Sequence, residues 1–194
     1  MTKVYFVRHA QPDHGWVDDR TRPLTEEGKN DSRIVLDTLK DKEITVFYCS
    51  PYKRSMDTIA ETADYFGKRI ITDERLRERE NGNNGNRPGM FEKRWNDHDY
   101  HEEHGESIRM VQERNIEALT EILAANPGKS IVIGTHGTAL STILNFYDPV
   151  FGCKDFLRII DWMPYVIELD FVGDKLISKK EHCYMEKEFK GEKG

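Results

Sequence analysis

Short apolar runs alternate with longer amphipathic stretches along most of the chain. Val4–Val7, Ile44–Cys49 and Ile131–Ile133 are nearly continuous apolar runs rich in β-branched and aromatic residues, as is typical of buried strands in a parallel sheet. A further short strand is predicted over Arg69–Thr72. The stretches between these runs repeat apolar residues every three or four positions, which indicates helices with one buried face. Alternating strands and helices predict a three-layer α/β/α sandwich with a mainly parallel sheet.

The predicted helices begin at residues that favour capping. Thr25 precedes two glutamates and is predicted to cap the first helix. Ser50 is predicted to cap the second, with Pro51 at its first position. A long helix is predicted over 105–125, and another follows the strand that ends at Ile133.

The later part of the chain predicts an insert, a hairpin and a tail. Residues 81–105 form the insert, which begins with a loop rich in Gly and Asn. Its aromatic and charged part, Phe91–His104, is predicted to be a mobile helical cover outside the core. Tyr165–Phe171 and Lys175–Glu181 predict a closing hairpin. Residues 1–185 are therefore expected to form one domain, followed by a charged, flexible tail over 186–194.

Composition narrows the classes of partner. The chain has 194 residues and a formal net charge of -6, so nucleic acid and anionic lipid are not expected to bind it. No apolar run approaches the roughly 20 residues needed to cross a bilayer, and no apolar leader precedes the first strand. The three cysteines include no Cys-x-x-Cys pair, which favours reduced thiols. We therefore expect a cytoplasmic protein, and the sequence predicts no oligomeric state.

Residues suited to phosphoryl chemistry follow two of the predicted strands. Arg8 and His9 come directly after the first strand, and His136 comes after the strand ending at Ile133. The carboxyl ends of such strands form one crevice, where ligands bind. A neutral imidazole is a competent nucleophile, and the guanidinium groups of Arg8 and Arg54 can bind phosphoryl oxygens. A single histidine at a strand end is more often structural, but this shared placement favours a site for a small phosphorylated substrate.

These residues also resemble the histidine phosphatase superfamily, which is also called the phosphoglycerate mutase-like family. The resemblance covers about residues 3–146. Its short motifs follow one another in the family's order: Arg8-His9-Ala10-Gln11, Leu24–Gly28, Ser50–Ser55 with Thr58, Leu76–Arg79, Gly105–Ser107 and Gly134–Gly137. Each motif is weak alone, and their order makes the resemblance specific.

The resemblance implies a phosphoglycerate mutase-like fold and a two-step reaction without metal or cofactor. His9 would carry the phosphoryl group. Glu78 would protonate the leaving alkoxide, for which it must retain a proton near neutral pH, and would then act as base toward water. Glu80 is a nearby competitor for that role. The residues expected to bind the phosphate group are Arg8, Gln11, Arg54, His136 and Gly137.

Other positions depart from the family's pattern, and these departures bear on which substrate the protein binds. Ala10 stands where glycine is usual, and Gly15 stands near where many members carry an asparagine. Arg22 precedes Pro23 in place of the usual acidic residue. The segment after Glu78 lacks the familiar Gly-aromatic-Gly pattern. These changes leave the predicted phosphate pocket intact.

Three alternatives to a phosphatase remain open. Mutases of this family typically carry a longer insert and a tail over the site, whereas this chain is compact, although Arg87, Lys93 and Arg94 could contact an extra anionic group. A non-catalytic module that binds a phosphorylated ligand is a second alternative. The spacing of His98, His101 and His104 suggests a third, a metal site, but three such residues drift around a helix, so a solvated cover is favoured.

Overall fold

One sheet organises the structure, a computed structural model that describes residues 1–83 and 87–187. Its strands are β1 (Thr2–Arg8), β2 (Ile44–Cys49), β3 (Ile70–Thr72), β4 (Ser130–Thr135), β5 (Trp162–Val172) and β6 (Lys175–Glu186). They lie side by side in the order β3-β2-β4-β1-β5-β6. The first four are parallel, and β5 and β6 are antiparallel to their neighbours. The prediction of a mainly parallel sheet is confirmed.

Helices cover both faces of this sheet. They are α1 (Glu26–Asp31), α2 (Arg33–Leu39), α3 (Lys53–Tyr65), α4 (Met90–Asn96), α5 (Ile108–Ala125), α6 (Gly137–Tyr147) and α7 (Cys153–Ile159). Alternate residues of β1 point to opposite faces. Val4 and Phe6 pack with apolar side chains of α4–α7, and Tyr5 and Val7 pack with those of α2 and α3. The three-layer sandwich is therefore confirmed.

Helix boundaries confirm some capping predictions and correct others. Thr25 caps α1, because its hydroxyl accepts a hydrogen bond from the Gly28 N–H. The predicted Ser50 cap is wrong: α3 begins three residues later, with Tyr52 as its N-cap. The Ser50 hydroxyl is occupied elsewhere, as described below. Helix α5 begins at Ile108, where the Ser107 side chain caps it, and the short helix α7 was not predicted.

The insert packs as part of the core, so the prediction that its helix lies outside the core is wrong. Phe91 and Trp95 of α4 are only 7% and 8% exposed. The rings of Phe91 and Phe156 meet edge to face at 5.2 Å. The apolar area of these aromatic side chains favours burial, while Glu92 and Lys93 of the same helix are exposed. Residues 84–86 of the predicted loop lie outside the described residues.

The closing hairpin is confirmed and is longer than predicted. It turns at Gly173, which has a φ of 61°, and its second strand continues to Glu186. Lys187 then pairs with Glu27 at 2.5 Å and with Asp31 at 2.7 Å. The rest of the predicted tail, 188–194, lies outside the described residues. Within the described part, none of the helices combines the length and the apolar character required of a membrane span.

Candidate active site

His9 is the first residue after β1 and is buried at the carboxyl end of the sheet. Its Nδ1 lies 2.8 Å from the carbonyl oxygen of Ala10. Since a carbonyl only accepts, Nδ1 carries the proton, and Nε2 keeps its lone pair. Burial, reinforced by the charges of Arg54 and Arg8, lowers the pKa of His9 well below its ordinary value. The ring is therefore neutral at physiological pH and suited to nucleophilic attack.

His136 lies beside His9, where β4 ends and α6 begins. The two ring centroids are 5.3 Å apart. The Nε2 of His136 lies 2.6 Å from the hydroxyl of Ser50, whereas Nδ1 is buried without a hydrogen-bond partner in the described part of the chain. Burial, followed by the charge of Arg54, lowers the pKa of His136 well below its ordinary value. A second neutral imidazole thus adjoins the first.

The guanidinium of Arg8 is held by backbone carbonyls at the end of α7. It donates to the carbonyl oxygens of Ile159 and, at 3.2 Å, Trp162. Burial lowers the pKa of Arg8 to about 10, so the group stays charged at neutral pH. Its buried Nε has no partner among the described residues. At Gly137 a Cβ atom would lie 3.3 Å from Nη2, so glycine lets this guanidinium approach the start of α6 closely.

Arg54 lies in the first turn of α3 and is almost fully buried. Its Nη1 donates to the backbone carbonyl of Asp19 at 2.6 Å and lies 3.2 Å from the Asp19 carboxylate. The guanidinium also lies over the ring of Tyr52, at 5.1 Å from its centroid. Burial lowers the pKa of Arg54, and the Asp19 carboxylate opposes that effect. These contacts fix a second guanidinium at the same end of the sheet.

Glu78 places its carboxylate at the start of α6. The carboxylate accepts hydrogen bonds from the backbone N–H groups of Arg79, Thr138 and Ala139, at 2.8, 3.0 and 3.1 Å. The last two belong to the first turn of α6, where the helix dipole favours negative charge. Glu80 is exposed, and its carboxylate pairs with Arg77 at 3.3 Å. The structure therefore brings Glu78, rather than Glu80, to the site.

A cavity of about 140 Å³ joins these side chains. Of the residues predicted for the site, Arg8, His9, Arg54, Glu78 and Gly137 line it, and His136 packs against His9. The structure does not bring the Gln11 side chain to the cavity. Its Oε1 instead accepts a hydrogen bond from the Thr25 hydroxyl at 2.9 Å, which braces the start of α1.

Several lining residues were missed by the sequence analysis. The polar ones are His14, Asp19, Arg22, Arg79, Asn81 and Thr138, and the apolar ones include Phe91, Phe156, Ile160 and Met163. Arg22 had a detectable signal, because it replaces an acidic residue of the family's pattern. Phe156 and Ile160 had none, because they lie in or beside the unpredicted helix α7. The cavity thus has a cationic wall and an apolar wall.

The histidine-rich segment of the insert does not present a shared helical face. Helix α4 ends at Asn96, before His98. The His98 ring contacts Trp95 edge to face, and His104 is exposed with a φ of 61°. Within residues 1–83 and 87–187, no three or more His, Cys, Asp or Glu side chains are grouped so that they could hold a metal ion.

Comparison with known proteins establishes the family. The model of the histidine phosphatase superfamily (branch 1) matches residues 4–149. The chain belongs to this superfamily. The resemblance carried by the order of its motifs is thereby confirmed.

Relatives within the superfamily include named mutases and phosphatases. A protein of Yersinia pestis named "Probable phosphoglycerate mutase GpmB" is 30% identical over 75% of this chain and 74% of its own length. A 2,3-bisphosphoglycerate-dependent phosphoglycerate mutase of Thermoplasma acidophilum is 36% identical over 39% of this chain and 40% of its own length. This chain spans only about 40% of the length of the first relatives that it matches.

Solved structures of the superfamily share the fold. Bacillus stearothermophilus YhfR is 24% identical and superimposes with a TM-score of 0.75 over 91% of this chain and 95% of its own. An Entamoeba histolytica phosphoserine phosphatase in complex with 3-phosphoglyceric acid is 19% identical, with a TM-score of 0.75 over 97% and 98%. The phosphoglycerate mutase-like fold is therefore confirmed.

Proposed function

We propose that this protein is a phosphatase that hydrolyses a small phosphate monoester through a phosphohistidine on His9. One observation carries the proposal: a buried, neutral imidazole with an unprotonated Nε2 adjoins two guanidinium groups and two buried nitrogens, Arg8 Nε and His136 Nδ1, that have no hydrogen-bond partner among the described residues. Buried polar groups are normally hydrogen-bonded, and leaving them unpaired is costly. The oxygens of a phosphoryl group would satisfy both.

The first step forms the phosphohistidine. Nε2 of His9 attacks the phosphorus atom in line, and the bond between phosphorus and the leaving oxygen breaks. The side chains of Arg8, Arg54 and His136 stabilise the charge on the equatorial oxygens. Glu78 gives a proton to the leaving alkoxide.

The second step returns the enzyme to its starting state. A water molecule attacks phosphorus, the bond to Nε2 breaks, and Glu78 accepts the proton of the water. Inorganic phosphate then leaves. The contacts of Glu78 with the start of α6 hold its carboxylate at the cavity for both proton transfers.

Two of the three cations that the sequence analysis named in the insert support a phosphatase rather than a mutase. Arg94 is buried in an ion pair with Glu102, and the ammonium of Lys93 lies 3.7 Å from the centroid of the Tyr100 ring. Neither side chain lines the cavity. A mutase must retain a phosphorylated intermediate and reorient its product, and these two side chains are engaged away from the substrate. Arg22 and Arg79 do line the cavity. They pair with Asp19 at 2.6 Å and with Glu102 at 3.2 Å, so an acidic substituent on the substrate would share these cations with the two carboxylates.

A substrate panel tests the proposal. Phosphate release is measured from phosphoserine, 3-phosphoglycerate, sugar phosphates, nucleotides and an aryl phosphate, and the interconversion of 3- and 2-phosphoglycerate is assayed in parallel. We expect phosphate release from at least one ester to exceed interconversion, with transient ³²P labelling of the protein. Fast interconversion with little free phosphate would make this a mutase. Saturable binding without turnover would make it a binding module.

A single catalytic domain and a cytoplasmic location belong to the same proposal. One sheet with both faces covered supports a single catalytic domain over residues 1–185. Cys49, Cys153 and Cys183 are unpaired thiols, as is usual in reducing compartments. Burial raises the pKa of Cys49 to about 12, so this thiol stays protonated and unreactive.

A further inference from the structure

Ser50 connects the end of one strand to the histidine that follows another. It comes directly after β2, and its hydroxyl oxygen lies 2.6 Å from Nε2 of His136, at the end of β4. Both residues are fully buried. This distance is at the short end of hydrogen bonds made by hydroxyl groups. The side chain expected to cap α3 is therefore committed to His136.

The neighbours of Ser50 indicate which atom donates this hydrogen bond. The N–H of Tyr52 donates to the Ser50 oxygen at 3.3 Å, so the oxygen already acts as an acceptor. The hydroxyl hydrogen still needs an acceptor, and in the described structure Nε2 of His136 is the one it contacts. A neutral imidazole has one N–H and one lone pair. If Nε2 accepts from Ser50, the ring proton is on Nδ1.

We propose that Ser50 is a positioning residue that fixes the tautomer of His136 and so presents Nδ1–H as a donor to the phosphoryl group. This inference rests on the proposed function. In the other tautomer, Nδ1 would present a lone pair, which repels the negative oxygens that it must stabilise. The rings of His9 and Tyr52, with centroids 5.3 and 5.2 Å from that of His136, pack against it and limit its rotation.

The inference explains why, in the described part of the chain, one buried nitrogen of His136 has a hydrogen-bond partner and the other has none. Ser50 satisfies Nε2, and the substrate would satisfy Nδ1. Partners that orient a metal-binding histidine through its other nitrogen typically contribute about 10-fold to 100-fold to affinity or activity, and we expect a similar contribution from Ser50. Without Ser50, the ring would populate both tautomers, and the fraction with a donor at Nδ1 would fall.

Ser50→Ala tests this role against a matched control, Ser55→Ala. Both serines are fully buried, but the Ser55 hydroxyl donates to the carbonyl of Thr135 at 3.4 Å instead of to His136. With the best ester of the panel, we expect Ser50→Ala to lower kcat/KM by about 10-fold to 100-fold, mainly through kcat. Ser55→Ala should stay within about threefold of the parent. Equal losses in both variants would overturn the assignment.

A double-mutant cycle shows whether Ser50 acts through His136. In a His136→Ala background, Ser50→Ala should cause less than about a twofold further loss, because the group it orients is already gone. A second loss as large as the first would show that Ser50 acts on the fold or on another residue.

A readout without turnover separates this inference from the phosphatase proposal. Ring ¹⁵N shifts of His136 should show the proton on Nδ1 in the parent at pH 7.5 and both tautomers in Ser50→Ala. A proton on Nε2 in the parent would overturn the inference even if Ser50→Ala fails to fold. If the parent protein is inactive but carries the proton on Nδ1, the phosphatase proposal would be overturned, while the effect of Ser50 on the tautomer of His136 would stand.

Discussion

The two ends of β1 both carry charged groups, but those groups are paired in different ways. At the amino end, Lys3, Glu168, Asp170 and His182 form an amino-end cluster. Lys3 pairs with Glu168 at 2.5 Å and with Asp170 at 3.2 Å, and His182 lies 2.6 Å from Glu168. Burial opposes ionisation of Glu168, but hydrogen bonds from Lys3 and His182 hold its pKa below the usual value. Opposite charges meet within this cluster.

At the carboxyl end, the charges do not balance. Arg8 is hydrogen-bonded by carbonyl groups, and its Nε and the Nδ1 of His136 have no partner in the described part of the chain. Four guanidinium groups and two carboxylates line the cavity together with the imidazole of His9, against which His136 packs. Like charges held together cost stability unless an anion completes them. The amino-end cluster therefore belongs to the fold, whereas the carboxyl-end cluster is arranged for an anionic ligand.

Removing the proposed nucleophile should abolish phosphate release at the carboxyl-end cavity without unfolding the protein. His9→Ala should lower kcat by at least about 10⁴-fold, because it removes the buried imidazole nitrogen that attacks phosphorus in the proposed mechanism. The measurement is steady-state phosphate release, with circular dichroism to verify folding. His182→Ala, from the amino-end cluster, should stay within about twofold. Near-normal release by His9→Ala would move the nucleophile elsewhere.

Glu78→Gln should lower the activity toward substrates with a poor leaving group more than the activity toward substrates with a good one. General acid catalysis contributes typically about 10²-fold to 10⁴-fold, and an activated aryl leaving group needs little of it. We expect a loss of about 10²-fold or more with an alkyl phosphate, and a much smaller loss in phosphorylation of His9 by p-nitrophenyl phosphate. Burst kinetics separate this step from hydrolysis of the phosphoenzyme. The exposed neighbour offers a control, Glu80→Gln, which should match the parent. Equal losses with both esters would exclude Glu78 as the acid.

Local sequence patterns predicted the parts of this site that are built at strand ends. Arg8, His9 and His136 follow apolar runs, and the sheet order brings those runs together at one end. The Ser50 contact could not be predicted, because a serine before Pro51 reads as a helix cap in the sequence. Only the pairing of β2 with β4 shows that its hydroxyl meets an imidazole.

The apolar wall of the cavity was not predictable for a different reason. Helix α7 has only seven residues, and its pattern is too short to separate from a loop. Phe91 was misread because the charged residues around it suggested a solvated cover. Its burial depends on contact with Phe156, 65 positions later in the chain. Long-range packing of this kind decides burial independently of local charge.

Lys3→Met should break the amino-end cluster without affecting turnover. It leaves Glu168 and Asp170 without their cation, and removing one partner of an ion pair costs most when the remaining charge is buried. Because the Lys3 side chain is 37% exposed, we expect a loss of about 1–2 kcal/mol in the free energy of unfolding, measured in urea at pH 7.5. Lys29→Met removes an exposed pair with Glu26 and should leave the free energy of unfolding nearly unchanged. A tenfold fall in kcat for Lys3→Met would contradict the division between the two ends.

The pH dependence of the free energy of unfolding should distinguish the charged groups at the two ends of β1, because they titrate in different pH ranges. His9 and His136 have pKa values well below 6.5 in the folded protein, so the unfolded chain binds more protons as the pH falls below about 6.5. The free energy of unfolding should then decrease by up to about 1.4 kcal/mol per pH unit for each histidine. His136→Asn should remove the contribution of His136 to this slope between pH 6.5 and 5.5. The variant that also carries His9→Asn should remove the contributions of both histidines. Glu168, whose pKa is lowered, contributes stability that is lost only at pH values below about 4.5. An unchanged slope in the double variant would show that these rings bind protons equally in the folded and unfolded chain, which would contradict their lowered pKa values.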